Sequence, residues 1–296
     1  MKLSDINQLA IYGIFGYPVE HSASPVMHNA AFKALGIHAE YKKFPVAPED
    51  LQSATGNIIK NCLRGINVTI PHKQNIMKFL DELAPSALTM GAVNTVQIKG
   101  DRIIGHNTDG EGFKQALKAE AGVELHGKTI FLAGSGGAGF AVATKCVEEN
   151  IKQIAIMDID LQKANWLADH LRKLAGTKTN DDFVLVFSPK NNDAINNYLK
   201  TIDIAVNATP LGMKINDPIP LPVDILRKNT VVYDLVYNIP VTSLVNQARE
   251  NGIKAYTGLS MLLYQGVESF KIWTGINPPV DIMKKALEDF IYGVKD

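Results

Sequence analysis

Along the first hundred residues, short apolar runs alternate with segments whose apolar positions recur every three or four residues. The runs "LAIYGIFG", "AEYKKFPV" and "GINVTIP" are rich in β-branched and aromatic residues and end at glycine, proline or polar residues, the pattern of strands. Between the first two, "SPVMHNAAFKALG" carries the helical period, with Ser24 placed as N-cap, Pro25 at the first helical position and Gly36 just past the end. "VNTVQIKGDRIIGHN" predicts a hairpin turning at Lys99-Gly100-Asp101. These elements make an α/β unit of about one hundred residues. A helix, "DGEGFKQALKAE", starts from Thr108 and Asp109, and the polar, glycine-bearing "AGVELHGKT" links it to the next segment.

A different rhythm begins there. "KTIFLA" reads as a strand, "GSGGAG" as a glycine loop, "FAVATKCVEEN" as a helix and "IKQIAIMDID" as a second strand ending in acids. "FVLVF", "DIAVNATP", "TVVYDLVY" and "GIKAYTG" are further strands, separated by helices such as "LQKANWLADHLRKL" and "VTSLVNQAREN". Repeated strand, crossover helix and strand imply a parallel, doubly wound sheet. The predicted architecture is therefore α/β in two domains. An N-terminal α/β substrate domain covers residues 1–108 and is completed by C-terminal helices in 260–296. A Rossmann dinucleotide-binding domain covers 109–259.

Composition narrows the function class. The 296 residues carry 30 basic and 30 acidic side chains, so no nucleic acid or other polyanion is implied as partner. The N-terminal stretch has no sustained apolar core, so neither a signal peptide nor a membrane span is expected, and a cytoplasmic enzyme is the default. Cys62 and Cys146 are far apart and read as small buried residues, and the seven histidines form no metal-ligand spacing.

One residue is out of place. Gly65 to Ile70 read as a buried strand stopped by Pro71, and "KQNIMKFLDEL" puts Ile76, Phe79, Leu80 and Leu83 at helical spacing, so Lys73 falls at or just before a helix start. The positive end of a helix dipole disfavours a cation, so a counter-charge is expected nearby. The glycine loop supplies a second centre. Gly134, Gly136 and Gly139 match G-x-G-x-x-G between a strand and a helix, where backbone N–H groups can approach a pyrophosphate, and Asp158 ends the next strand where a ribose 2′-hydroxyl would be met. Two more groups flank these. Ser22 and Ser24 precede a helix and suit a carboxylate or polyol, and Asn107, Thr108 and Asp109 sit between a strand and a helix, where Asp is more often a cap than a catalyst.

Taken together, "HSASP", "NVTIPHK", "GAVNT", "GHNTDG", the glycine loop, "NATPLGM" and "YQG" occur in the order and at about the spacing of the shikimate dehydrogenases and related quinate/shikimate dehydrogenases, which the chain resembles from about Tyr12 to Gly275. The resemblance implies that Lys73 and Asp109 face each other across the cleft between the domains and act as the proton-transfer pair in hydride exchange between shikimate and a nicotinamide dinucleotide, with quinate as a candidate second substrate. It implies that Ser22 and Ser24 hold the substrate carboxylate with Tyr237 adding to that end. Asn67, Thr69, Asn94, Asp109 and Gln265, with Lys73, would hold the hydroxyls. It places the dinucleotide on Gly134, Ser135, Gly136, Gly137, Ala138, Gly139, Asp158, Asn207, Thr209, Leu235 and Gly258, with no metal. Two departures point to NAD in preference to NADP. Gly139 and Phe140 stand where the family's loop usually runs through alanine or serine to arginine, and "MDID" stands where NADP users carry an Asn-Arg-Ser/Thr stretch. The expectation is an oxidoreductase of the shikimate pathway of aromatic amino acid biosynthesis, monomer or homodimer. The alternative is a non-catalytic sensor of a pathway metabolite on the same fold, which would have no need of the Lys73/Asp109 pair.

Overall fold

The computed structural model describes residues 9–176, 181–214 and 216–293. They form two compact units. One holds the described residues through Gly112 together with those from Leu263 onward, and the other holds Phe113–Leu262.

In the first unit the elements run β1 (Ala10–Gly16), α1 (Ser24–Ala34), β2 (Ala39–Pro45), α2 (Leu51–Gly56), β3 (Leu63–Val68), β4 (Glu82–Leu83), α3 (Pro85–Met90), β5 (Thr95–Lys99), β6 (Arg102–His106) and the start of α4 (Asp109–Ala121). Their sheet has the order β2-β1-β3-β5-β6-β4 and is mixed. β1 is parallel to both β2 and β3, while β3, β5 and β6 pair antiparallel. The predicted hairpin is present. Lys99 pairs with Arg102, and Gly100 takes φ +64°, which a two-residue turn of this kind requires.

One face of the sheet packs Phe15, Leu51, Ile58, Ile66, Val68, Ile76, Val93 and Val96 into a buried cluster. The other is aromatic. Tyr12, Phe32, Phe270 and Trp273 lie with neighbouring ring centroids 5.0–5.3 Å apart. Phe270 and Trp273 come from α9 (Leu259–Thr274), after which α10 (Val280–Tyr292) packs on α1. Trp273 lies so close that a Cβ on Gly65 would sit 2.5 Å from its ring, and its indole N–H donates to the Val96 carbonyl at 3.0 Å. Gly65 is thus the gap in the strand that admits the ring.

The second unit is the doubly wound half. β7 (Thr129–Ala133), α5 (Gly137–Glu148), β8 (Gln153–Met157), α6 (Leu161–Ala175), β9 (Val184–Phe187), α7 (Asn192–Leu199), β10 (Ile204–Asn207), β11 (Val231–Asp234), α8 (Ser243–Glu250) and β12 (Lys254–Thr257) succeed one another in sequence. The sheet order is β12-β11-β10-β7-β8-β9 with every pairing parallel. The order reverses between β7 and β10, the switch point at which such sheets take ligands. Phe131, Leu199, Ile202, Val232, Leu244 and Val245 are among its buried core.

Four local expectations are corrected. The segment after Lys73 is not an α-helix but a single 3₁₀ turn, Asn75–Phe79. Leu80 is extended, the Asp81 N–H donates to the Ile103 carbonyl, and Glu82–Leu83 join the sheet beside β6, so edge pairing wins over the helical period. Ser24 is the first residue of α1 rather than its cap. The cap position is Ala23, with no side-chain bond to the helix, and the Ser24 N–H instead donates to Ser22 Oγ at 3.3 Å. Cys62 is exposed at φ +55° in the turn before β3, whereas Cys146 is buried as expected. The strand before Pro71 also ends earlier than its composition suggests. β3 stops at Val68, and Ile70 is 75% exposed.

Candidate functional site

In the first unit the end of β3, the turn after it, the start of β5 and the start of α4 bring together the residues that the motifs single out. Lys73 is pinned on both sides. Its carbonyl accepts from Val93 N–H at 2.7 Å, and neighbouring His72 is buried with Nε2 2.7 Å from the Val46 carbonyl. Its ammonium Nζ donates to Asp109 Oδ2 at 2.5 Å, with the two side chains 32% and 16% exposed. This is the expected counter-charge, though with only a 3₁₀ turn beside it the helix-dipole argument carries little weight here. Asp109 opens α4, and its carboxylate is turned to Lys73 and Asn94. The pair is internal to the first unit.

Asn94 completes it. Its Nδ2 donates to Asp109 Oδ1 at 2.8 Å and to Thr108 Oγ1 at 2.9 Å, and lies 3.5 Å from Gln265 Oε1 on α9. Its Oδ1 accepts from Thr108 N–H and Thr95 Oγ1, each at 2.9 Å. One Asp109 oxygen is thus held by a cation and the other by an amide.

Asn67 is nearby but differently employed. Only 4% exposed, it gives Nδ2 to the Asn94 carbonyl, Thr95 Oγ1 and Ser269 Oγ at 3.0–3.2 Å and takes Tyr41 O–H on Oδ1 at 2.7 Å. Its polar ends are used inside the unit. Thr69 comes just after β3 with its methyl against Gly16 and its N–H on the Phe15 carbonyl. At α1, Ser22 Oγ accepts from a backbone N–H, which leaves its own proton to donate, as a carboxylate requires. Buried Ser24 hydrogen-bonds the Tyr41 phenol. Burial raises that phenol well above the ordinary tyrosine range, and the Ser24 bond offsets it in part.

Tyr41 and Ser269 are polar residues of this site that no sequence motif marks, whereas Thr95 is the last residue of "GAVNT". Ser269 could have been suggested by its place one helical turn after Gln265, on the same face of α9. Tyr41 lies inside a strand with no local signal.

The second unit holds the remaining residues. Gly134, at φ +98°, abuts the Ala208 backbone, and a Cβ on Gly139 would fall 2.1 Å from the Gly134 carbonyl, so both glycines serve the fit of loop to strand. Gly136 and Gly137 differ. A Cβ on either would meet nothing within 4 Å, and Gly136 caps α5 with no side chain on the first-turn N–H groups. An open backbone at an uncapped N-terminus suits a pyrophosphate, with Gly136, Gly137 and Ala138 presenting their amides.

Asp158 Oδ2 accepts from both the N–H and the hydroxyl of Ser135, each at 2.7 Å, and Oδ1 from Asp160 N–H at 2.9 Å. Burial tends to raise its carboxyl, but these bonds outweigh it and hold it below the usual range. Asn207 gives Nδ2 to Asp234 Oδ1 and the Leu211 carbonyl and takes Thr209 on Oδ1, fixing the loop after β10. Gly258 packs so closely on the Leu235 carbonyl that a Cβ would lie 2.2 Å from it. Tyr237 is 39% exposed in this unit, three residues past β11. Among the described residues no group of three or more potential metal ligands occurs, and no helix is long and apolar enough to cross a membrane.

Residues 14–96 match the family model of the shikimate dehydrogenase substrate binding domain, and residues 258–288 that of the shikimate 5′-dehydrogenase C-terminal domain. A shikimate dehydrogenase (NADP(+)) of Desulforamulus reducens is 42% identical over 279 residues, covering 94% of each chain. A crystal structure of a shikimate dehydrogenase in complex with NADP+ is 40% identical with a TM-score of 0.87, covering 96% of both chains. That of shikimate 5-dehydrogenase from Listeria monocytogenes in complex with shikimate and NAD is 34% identical with a TM-score of 0.87, covering 94% of this chain and 96% of that one. With identity at this level along nearly its whole length, and with the lysine–aspartate pair and the open glycine loop both formed, the chain belongs to the shikimate dehydrogenase family.

Proposed function

We propose that the chain is an NAD(P)-dependent shikimate dehydrogenase that interconverts shikimate and 3-dehydroshikimate, with quinate as a second substrate to be tested. The observation that carries this is the Lys73–Asp109 ion pair with Asn94 on the free carboxylate oxygen. Oxidising a carbinol requires a hydride to leave carbon and a proton to leave oxygen. The nicotinamide, when bound, supplies the hydride acceptor. The chain's own residues handle the proton: the pair can take it up and return it, and the Nζ ammonium stabilises the oxyanion that develops as it departs. Asn94 and Gln265 hold neighbouring hydroxyls, and Ser22 donates to the substrate carboxylate. A non-catalytic sensor would leave this pair without a task, and the relatives' names give that alternative no support.

Between the two cofactors, the expectation of NAD rests on Asp158. Its carboxylate is kept charged at the end of β8, and the cation nearest in sequence, Lys163, is paired with Asp160 at 3.2 Å. A 2′-phosphate would meet like charge there. Against this, the curated relatives are named for NADP(+). Steady-state kinetics with shikimate and quinate, each with NAD and NADP, test the whole reading. Absence of turnover with every combination sinks the enzyme assignment, and a higher kcat/KM with NADP sinks the role of Asp158.

A further inference from the structure

We propose that Tyr41 is a positioning residue of the substrate site: its phenol fixes the amide of Asn67 and, through Thr95 and Asn94, the hydrogen-bond donor presented to Asp109. The inference rests on the assignment of this site to shikimate and deepens it.

Tyr41 has little freedom. It is 2% exposed, its ring lies on His28 with centroids 4.6 Å apart and planes 11° from parallel, and its backbone exchanges two hydrogen bonds with the Asn29 amide at 2.8 and 3.1 Å. The hydroxyl is thereby held against Asn67 Oδ1 as a donor at 2.7 Å. A carboxamide is nearly symmetric in shape, so only its partners decide which end is oxygen and which is nitrogen. With a donor fixed on Oδ1, the Asn67 nitrogen must face the Asn94 carbonyl, Thr95 Oγ1 and Ser269 Oγ.

The direction then propagates. Thr95 Oγ1 accepts from Asn67 and lies 2.7 Å from Ser269 Oγ; with the Ser269 hydroxyl donating to it as well, its single proton goes to Asn94 Oδ1 at 2.9 Å. Asn94 Oδ1 also receives the Thr108 N–H. With its oxygen occupied twice, Asn94 turns Nδ2 toward Asp109 Oδ1 at 2.8 Å. The opposite orientation would place a carbonyl oxygen against the carboxylate and an NH₂ against the Thr108 N–H, both repulsive. A chain of donors thus runs one way, from Tyr41 through Asn67, Thr95 and Asn94 to Asp109, and such chains strengthen along their length. Tyr41 touches neither charge of the catalytic pair, yet it settles the orientation of the amide beside it.

The full-length enzyme tests this with Tyr41→Phe, which keeps the ring stacked on His28 and removes only the oxygen. The KM for shikimate should rise roughly three- to thirtyfold, while the cofactor KM stays within about twofold and the melting temperature moves by only a few degrees. Ser269→Ala, which removes another partner of the Asn67 amide, should act in the same direction. The double variant should lose less than the product of the two effects, because both act on one chain. An unchanged shikimate KM in Tyr41→Phe, or equal rises in both KM values, overturns the inference and leaves the assignment of the site intact. If the unmodified enzyme turns over no shikimate, the assignment falls and this inference with it.

Discussion

Lys73 and Asp109 each offset the cost of half-burying the other's charge. Lys73→Ala should lower kcat by roughly 10² to 10⁴ with a smaller effect on KM, as loss of a proton-transfer group does. Wild-type turnover in that variant would remove Lys73 from the mechanism. Asp109→Asn separates charge from shape. As a helix cap, Asn would replace Asp with little loss, but an amide offers Lys73 no charge, so turnover should fall while the fold persists. A third side chain carries a pH dependence. His28 is fully buried among Tyr41, Phe270 and Trp273, and neither ring nitrogen makes a hydrogen bond of good geometry among the described residues. Burial drives its pKa down to about 3, with the Asn67 side chain opposing slightly. The folded value lies below the unfolded one, so the contribution to stability is full above about pH 6.5 and is lost as pH falls toward 3. Between pH 8 and pH 5 this amounts to about 2 kcal/mol. His28→Phe should flatten that part of a chemical-denaturation profile, and an unchanged slope would show that His28 takes up its proton as readily in the folded state as in the unfolded chain.

At the scale of elements, the glycine loop between β7 and α5 separates fold from function within six residues. Gly139→Ala would press a methyl into the Gly134 carbonyl, and the backbone must shift, so stability and dinucleotide binding should fall together. Gly136 has ordinary φ and open space where its Cβ would point. Gly136→Ala should therefore leave the melting temperature nearly unchanged while weakening dinucleotide binding at least about tenfold, because the methyl occupies the approach to the amides. Equal binding by Gly136→Ala would place the pyrophosphate elsewhere. This loop is legible in the sequence because its rule is local: a strand, a glycine turn and a helix in succession. The hairpin at Gly100 and the helices α1 and α4 are legible for the same reason. The segment after Lys73 misleads because its apolar spacing fits a helix while β6 offers Asp81–Leu83 a sheet edge, a competition that no local pattern displays. Ser24 imitates a cap because Ser22, two residues earlier, is the hydroxyl that receives the backbone N–H. The partners of Asn67 are beyond reach altogether, since Ser269 lies 202 residues away and Tyr41 is one aromatic among many in a strand.

For the molecule as a whole, the two units differ in how the chain builds them. Phe113–Leu262 is continuous and carries the parallel sheet, its own buried core and the glycine loop. The other unit is discontinuous. Its sheet is complete before Gly112, but Phe270 and Trp273 of the aromatic layer, the Trp273 ring over Gly65 and Ser269 beside Asn67 all arrive from beyond Leu263. Truncation after Leu262 would strip that layer from Tyr12 and Phe32. Each large aromatic lost from a core forfeits about 3–5 kcal/mol, so the loss for the pair is comparable with the whole stability of an ordinary domain. The truncated chain should therefore lose cooperative unfolding of its N-terminal unit, visible as proteolysis within residues 9–112, while Phe113–Leu262 stays protected. It should still bind a nicotinamide dinucleotide in a titration, since Gly136, Gly137 and Asp158 are untouched, yet show no oxidation of shikimate. Retained turnover would mean that the first unit folds without its C-terminal helices, and that Gln265 and Ser269 are dispensable to the site.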